Sequence, residues 1–287
     1  MTKLKKNIAD AVDLRDVIDD PREAFEHSGG QPVLIQVPLE QVRNLGPLAF
    51  SVTRASGEPF VATVQAYLRG EQKTYRGSWL EWFYSRWTPA NAADLLGLPE
   101  GSTLAASPIH AFVYPWRSDD PIRRQARKLK SMRQENRQKG ADISGEEGYV
   151  WAGPMSRRKG EFEFARLSLL TDIIKRYGFE TDDPNADPDR NDIRAHIKGK
   201  LMIRGTEWRI LGTHGNHRRS VLAALGWSHA PMAINNKPIR REHSASWPNV
   251  RKGLFTVAQA LEIFDRIFEG RQPASCPSIR AAKDIRA

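Results

Sequence analysis

The sequence predicts a mixed fold, α/β or α+β, and three observations carry that prediction. Residues 208–225 read as an apolar strand, a turn punctuated by Gly212 and Gly215, and a helix through Val221, Leu222 and Leu225 that stops at Gly226. Residues 161–177 set Phe162, Ala165, Leu169 and Ile173 along one edge of a helical apolar face. Residues 32–37, Pro-Val-Leu-Ile-Gln-Val, form a compact apolar run suited to a buried strand.

Taken in order, residues 1–31 mix charged and scattered apolar positions and end in Gly29-Gly30, a lead-in with a short helix. After the strand at 32–37, Pro38 opens a helical turn, since proline suits a first helical position. Residues 48–52 and 60–68 are two more strand candidates around a Ser56-Gly57-Glu58-Pro59 turn, giving a small antiparallel sheet. Residues 78–87 space Trp79, Leu80, Trp82, Phe83 and Trp87 as a helix does; Tyr84 and Arg86 on it read as packing and surface positions before substrate contacts. Thr88 with Pro89 signals a second helix through Leu95 and Leu96, ending at Gly97.

Residues 117–139 form a basic run, read as one helix from near Pro121 to Gly140, with Arg123, Arg124, Arg127, Lys128, Lys130, Arg133, Arg137 and Lys139 around a thin apolar stripe of Ile122, Ala126, Leu129 and Met132. Such a helix either neutralises nucleic-acid phosphates or turns its charges to water, and the solvated face is the commoner outcome. The helix at 161–177 carries Glu161 and Glu163 in its first turn, where acidic groups favour the dipole. Residues 181–190, rich in Asp, Pro and Asn, form a loop that either binds a divalent cation or is a solvated turn. Residues 195–203 and 207–211 make a hairpin around Arg204-Gly205-Thr206. Residues 256–270 are an amphipathic helix capped by Thr256 and ended by Gly270. This divides the chain into a mixed region at 1–140, a module at 150–270 and a flexible tail at 271–287.

The formal net charge of +10 asks for a polyanionic partner or a solvated basic surface. Nucleic acid, nucleotides and sugar phosphates share that sign. No run approaches the ~20 apolar residues of a bilayer span. No apolar segment follows the basic start as in a secretory signal, and the single Cys276 has no partner for an internal disulfide. The expectation is a cytoplasmic protein.

The turn at 212–219 reads as an anion site. Asn216 is a good N-cap, a helix start presents free N–H groups and positive dipole, and His214, His217, Arg218 and Arg219 edge it. The two histidines lack a third metal ligand at a familiar spacing, so no metal site is expected there.

Gly215-Asn216-His217-Arg218, followed by Ala223-Ala224-Leu225-Gly226-Trp227 and the apolar strand at 230–234, resembles the ParB/sulfiredoxin-like superfamily over the last half of the chain. Gly153-Pro154-Met155-Ser156, Lys159-Gly160-Glu161 and Trp247-Pro248-Asn249-Val250 are similar to uncharacterised ParB-like proteins of cell-surface polysaccharide biosynthesis clusters. The resemblance implies a nucleotide-binding module for ATP, ADP or CTP, with Mg2+. Gly212, Thr213, His214, Gly215, Asn216, His217 and Arg218 would hold phosphates and Arg219 would add charge. By the same likeness Glu161, rather than Glu163, is the expected general base, with His217 beside it as a second catalytic group, and Asn249 and Arg251 would face substrate. The implied function is phosphotransfer to a small polar or sugar-derived hydroxyl substrate. The alternatives are a nucleic-acid-binding regulator and a non-catalytic accessory protein of surface polysaccharide synthesis. Two departures limit the likeness. Asn216 stands where sulfiredoxins need a cysteine thiolate, which excludes their reductase chemistry. After residue 253 there is room for one good helix, not a helix-turn-helix.

Overall fold

The computed structural model describes residues 11–179, 197–234 and 237–279. Among them the β-strands are β1 (Val12–Asp13), β2 (Val33–Pro38), β3 (Val42–Asn44), β4 (Phe50–Ser51), β5 (Ile197–Arg204), β6 (Glu207–His214), β7 (His229–Ile234) and β8 (Ile239–Arg240). The helices are α1 (Pro21–His27), α2 (Pro59–Leu68), α3 (Trp79–Arg86), α4 (Ala92–Leu96), α5 (Pro121–Gln138), α6 (Arg157–Tyr177), α7 (Asn216–Leu225), α8 (Pro248–Arg251) and α9 (Val257–Glu269). The fold is therefore mixed α/β.

One sheet runs β1-β2-β7-β5-β6-β3-β4, with β8 also on β5. It mixes directions: β2 is antiparallel to β7, β5 is antiparallel to β6 and parallel to β7, and β3 is parallel to β6. The strands of the first fifty residues are thus woven into the same sheet as the second-half hairpin, in place of a small sheet of their own. Side chains alternate across a strand, so positions 209 and 212 of β6 face opposite ways. The Arg209 guanidinium stacks on Phe268 of α9, whereas Gly212 meets Arg219 of α7. Helices therefore cover both faces, α9 on one and α7, with α2 and α6 packed beside it, on the other.

The caps explain most boundaries. Ser78, Asn91, Asp120, Ser156 and Thr256 each accept a backbone N–H in the first turn of their helix. Gly97, Gly226 and Gly270 close theirs in the left-handed conformation. Asn91 caps α4, three residues past the Thr88-Pro89 signal, and Ser156 starts α6 a full turn before Glu161.

Two expectations are corrected. Residues 60–68 are helix, not strand: Glu58 caps α2, Pro59 takes its first position, and Pro59 through Val64 are all buried. A helix buried on every side loses the polar periodicity that separates it from a buried strand. Residues 48–52 form only the two-residue strand β4, because a 3-10 turn at Gly46–Leu48, flanked by left-handed Leu45 and Ala49, takes up the preceding residues. In the described part of the tail, Ile279 is buried against Ala62, Ala66 and Trp79, and Ser275 Oγ donates to Asp94 Oδ1 at 3.1 Å. The expected acidic loop at 181–190 lies outside the described residues.

Candidate functional site

At the end of β6 the chain turns through Gly215, whose left-handed backbone (φ 85°, ψ 31°) makes it the N-cap of α7. Asn216 is the first helical residue instead of the cap. Its Oδ1 is drawn inward and accepts from Arg219 Nη2 at 2.5 Å.

Arg219 is fully buried and does not face a ligand. Its guanidinium donates to Asn44 Oδ1 from Nε (3.1 Å) and Nη2 (2.7 Å) and to the His214 carbonyl from Nη1 (2.5 Å). Asn44 in turn donates to Ser220 Oγ at 3.0 Å, and Ser220 Oγ donates to Glu58 Oε1 at 3.1 Å. This network fastens the turn to β3 and to the start of α2. Gly212 is part of the same device, since a Cβ there would lie 2.4 Å from the Arg219 guanidinium. Burial pushes Arg219 down to about 9 and the Glu58 carboxyl up to about 7, with the hydrogen bonds to Glu58 opposing part of that rise.

The carboxylate beside the turn is Glu163. His217 Nε2 sits 2.7 Å from Glu163 Oε2, and Lys159 Nζ bonds Glu163 Oε1 and donates to Asn136 Oδ1 at 2.6 Å. Burial alone would raise Glu163, but Lys159, His217 and Lys139 outweigh it and hold the carboxyl well below the usual range. Burial lowers His217, more strongly than Glu163 raises it. Glu163, Lys159 and His217 thus lock α5, α6 and α7 together.

Glu161 is elsewhere. Residues two apart on a helix do not share a face. Glu161 pairs with Arg157 at 2.7 Å and lines a separate surface cavity with Tyr75 and Phe164. Asn249 is also away from the turn: fully buried, it donates from its backbone N–H to the Pro115 carbonyl and from Nδ2 to the Tyr114 carbonyl, each at 3.0 Å. It ties the 247–254 segment to Tyr114-Pro115-Trp116. Arg251 is exposed and lines none of the cavities described here. Tyr84 is buried, with its hydroxyl on the Val150 carbonyl, and Arg86 stacks on Trp82.

The remaining turn residues meet in one place. Thr213, His214, Gly215, Asn216, His217 and Arg218 line a cavity of about 400 Å3, roofed by α5 and walled by Arg166 and Leu170 of α6. A second compartment, of about 380 Å3, adjoins it and shares Lys128, Ser131, Trp151, Thr213 and His214. Its walls are Tyr114, Trp116 and Trp151, with Arg117, Arg124 and Lys200 at its edges. The Tyr114 and Trp116 rings stack at 4.9 Å and 10°. Trp151 is seated against Gly46, where a Cβ would come within 2.8 Å of the indole.

Lys128 stands at the junction, its ammonium 5.2 Å from the Tyr149 ring and 5.4 Å from that of Trp151. Burial pushes it down to about 8, offset in part by Glu135. The basic helix is therefore not merely a solvated face. Sequence reasoning placed Lys128 in that face and missed Trp151, Lys198 and Lys200. The one signal for the aromatic wall was Tyr114-Pro115-Trp116 leading straight into the basic run.

Chemically, the paired compartments offer backbone N–H groups, several cations and aromatic faces, a set suited to a phosphate-bearing ring compound. Among the described residues no group of three or more His, Cys, Asp or Glu is placed to hold a metal ion, and no helix is long and apolar enough to cross a membrane. In comparisons with known proteins, no family model, no characterised protein and no solved structure matches the chain.

Proposed function

We propose that this groove binds a nucleoside phosphate such as ATP, ADP or CTP, with its phosphates against Gly215, Asn216 and Arg218 and its ring toward Trp116 and Trp151. The reading is carried by one observation: the left-handed turn, the start of α7 and Lys128 converge on a single cavity beside an aromatic one. The likeness of the turn to the ParB/sulfiredoxin-like superfamily supports the same ligand class. The described residues do not furnish a cage for Mg2+, so that ion would arrive on the ligand's phosphates.

The reaction we assign to the site is phosphoryl transfer to a small polar, sugar-like hydroxyl compound. The acceptor oxygen forms a bond to the terminal phosphorus, the bridging P–O bond breaks, and the nucleoside diphosphate leaves. The acceptor proton passes to His214, which lines both compartments and is pushed below an ordinary imidazole by desolvation at the cavity wall and by Lys198. His214 replaces Glu161 in this role, because Glu161 lies in another cavity. Such transfers depend mainly on positioning and charge neutralisation, which the cations around the turn supply.

The ion pairing of α5 favours this reading over a nucleic-acid regulator. On the outer side of α5, Arg133 and Arg137 engage Asp142, leaving less outward charge for a polyanion. A thermal-shift panel of ATP, ADP, CTP, GTP and sugar nucleotides with Mg2+ tests the proposal on wild type and on Arg218→Ala. A ligand of the folded state alone raises the melting temperature, corresponding to about 2.7 kcal/mol at a hundredfold excess over Kd. A rise lost in the variant supports the site; no rise with any nucleotide overturns it.

A further inference from the structure

The aromatic compartment holds more positive charge than one ring requires. Lys128 and Lys200 both line it, and neither forms an ion pair among the described residues. Arg117, Arg124 and Arg127 stand around them, and the one carboxylate of the compartment, Asp119, is already within 2.9 to 3.7 Å of those three guanidinium groups. Burial lowers Lys200, and Arg117 and Lys237 lower it further, as expected of an ammonium crowded by like charges. The Arg124 guanidinium lies 5.3 Å from the Phe112 ring and its Nε is buried without a hydrogen-bond acceptor. Partly buried cations that outnumber the carboxylates beside them carry a desolvation cost that an anion would relieve. Trp116 and Tyr114, stacked on each other, line the same compartment and offer an aromatic wall to a planar ring.

We infer that the compartment is a second anion subsite, and that the ligand is a nucleoside bearing phosphate at two separated positions, one on each side of its ring. This rests on the proposed nucleotide reading and narrows it. The first phosphate lies on the turn of α7, the base or sugar crosses Lys128 along Trp116 and Trp151, and the second phosphate meets Lys200, Arg117 and Arg124. A 3′,5′-bisphosphorylated nucleoside, or a short dinucleotide, has that arrangement. A 5′-diphosphate carries the same number of phosphate groups and cannot reach both subsites from one end.

Isothermal titration on the full chain separates these possibilities, using adenosine and cytidine as their 5′-monophosphates, 5′-diphosphates and 3′,5′-bisphosphates. The expected result is that the 3′,5′-bisphosphate of one base binds at least about tenfold more tightly than its isomeric 5′-diphosphate, the range of a charge-assisted contact. That advantage should vanish in Lys200→Gln and shrink in Arg117→Gln, with 5′-monophosphate affinity and melting temperature unchanged in both. Equal binding of the two isomers overturns the second subsite and leaves the nucleotide reading standing. An advantage that persists in both variants also overturns it, since the gain would then arise elsewhere. No binding by any of the six compounds removes the nucleotide reading and this inference together.

Discussion

The two sides of the turn at the end of β6 use positive charge in opposite ways. Behind it, Arg219 is fully buried and its donors end on Asn44, Asn216 and the His214 carbonyl, with Ser220 and Glu58 completing the network. In front, Lys128 and Lys200 line open compartments and form no ion pair among the described residues. Adjacent arginines in the sequence therefore have different jobs: Arg219 shapes the loop, while Arg218 lines the cavity. A cation holding a backbone is recognised by its saturated donors, and a cation placed for a ligand by the open space it lines.

That contrast can be broken most forcefully from behind. Arg219→Leu should cost about 3–5 kcal/mol, because it leaves Asn44 Oδ1, Asn216 Oδ1 and the His214 carbonyl without their guanidinium donors. Urea unfolding would show it as a lowered midpoint at unchanged slope, and a cost below about 1 kcal/mol would mean the network does not hold the turn.

The next largest effect is pH dependence from Glu58. Its folded carboxyl sits at about 7, above the ordinary 4.5, so the folded state keeps a proton that the unfolded chain releases. Its contribution is fully present below about 4.5 and is lost as pH rises through about 7, a change on the order of 3 kcal/mol. Glu58→Gln, which stays neutral, should flatten that part of the wild-type stability profile. Identical slopes in both proteins between pH 5 and 8 would contradict the assignment.

Gly212→Ala comes third, at roughly 1–3 kcal/mol, since its Cβ would be driven into the Arg219 guanidinium. Lys128→Gln should be the mildest for folding, within about 0.5 kcal/mol, and is meant to separate the two sides. Calorimetric melts of the two variants would show that order reversed if the front of the turn carried the stability.

The difference between the two sides also marks where the sequence was legible. Local signals read well: Ser78, Thr256, Gly97, Gly226 and Gly270 cap their helices as their residue types suggest, and the hairpin turns at Gly205-Thr206. The strand–turn–helix at 208–225 appears where its glycines place it. What failed was non-local. Whether Glu161 or Glu163 meets the turn depends on the rotation of α6 against α7, which the apolar pattern fixes only to within a residue or two. Asn249 looks like a ligand contact in isolation, but its partners, Tyr114 and Pro115, are 135 and 134 positions away in the chain. The roofing of the turn by α5 was invisible for the same reason: a run of arginine and lysine says nothing of which lysine points inward.

The most direct measurement is isothermal titration of ATP and CTP into wild type and Lys128→Gln at matched melting temperature. The account predicts binding to wild type and at least about a tenfold loss in the variant, with no loss of fold stability. Unchanged affinity in Lys128→Gln, or no heat from either nucleotide at millimolar concentration, would contradict the claim that the groove between α5 and α7 is a nucleotide site.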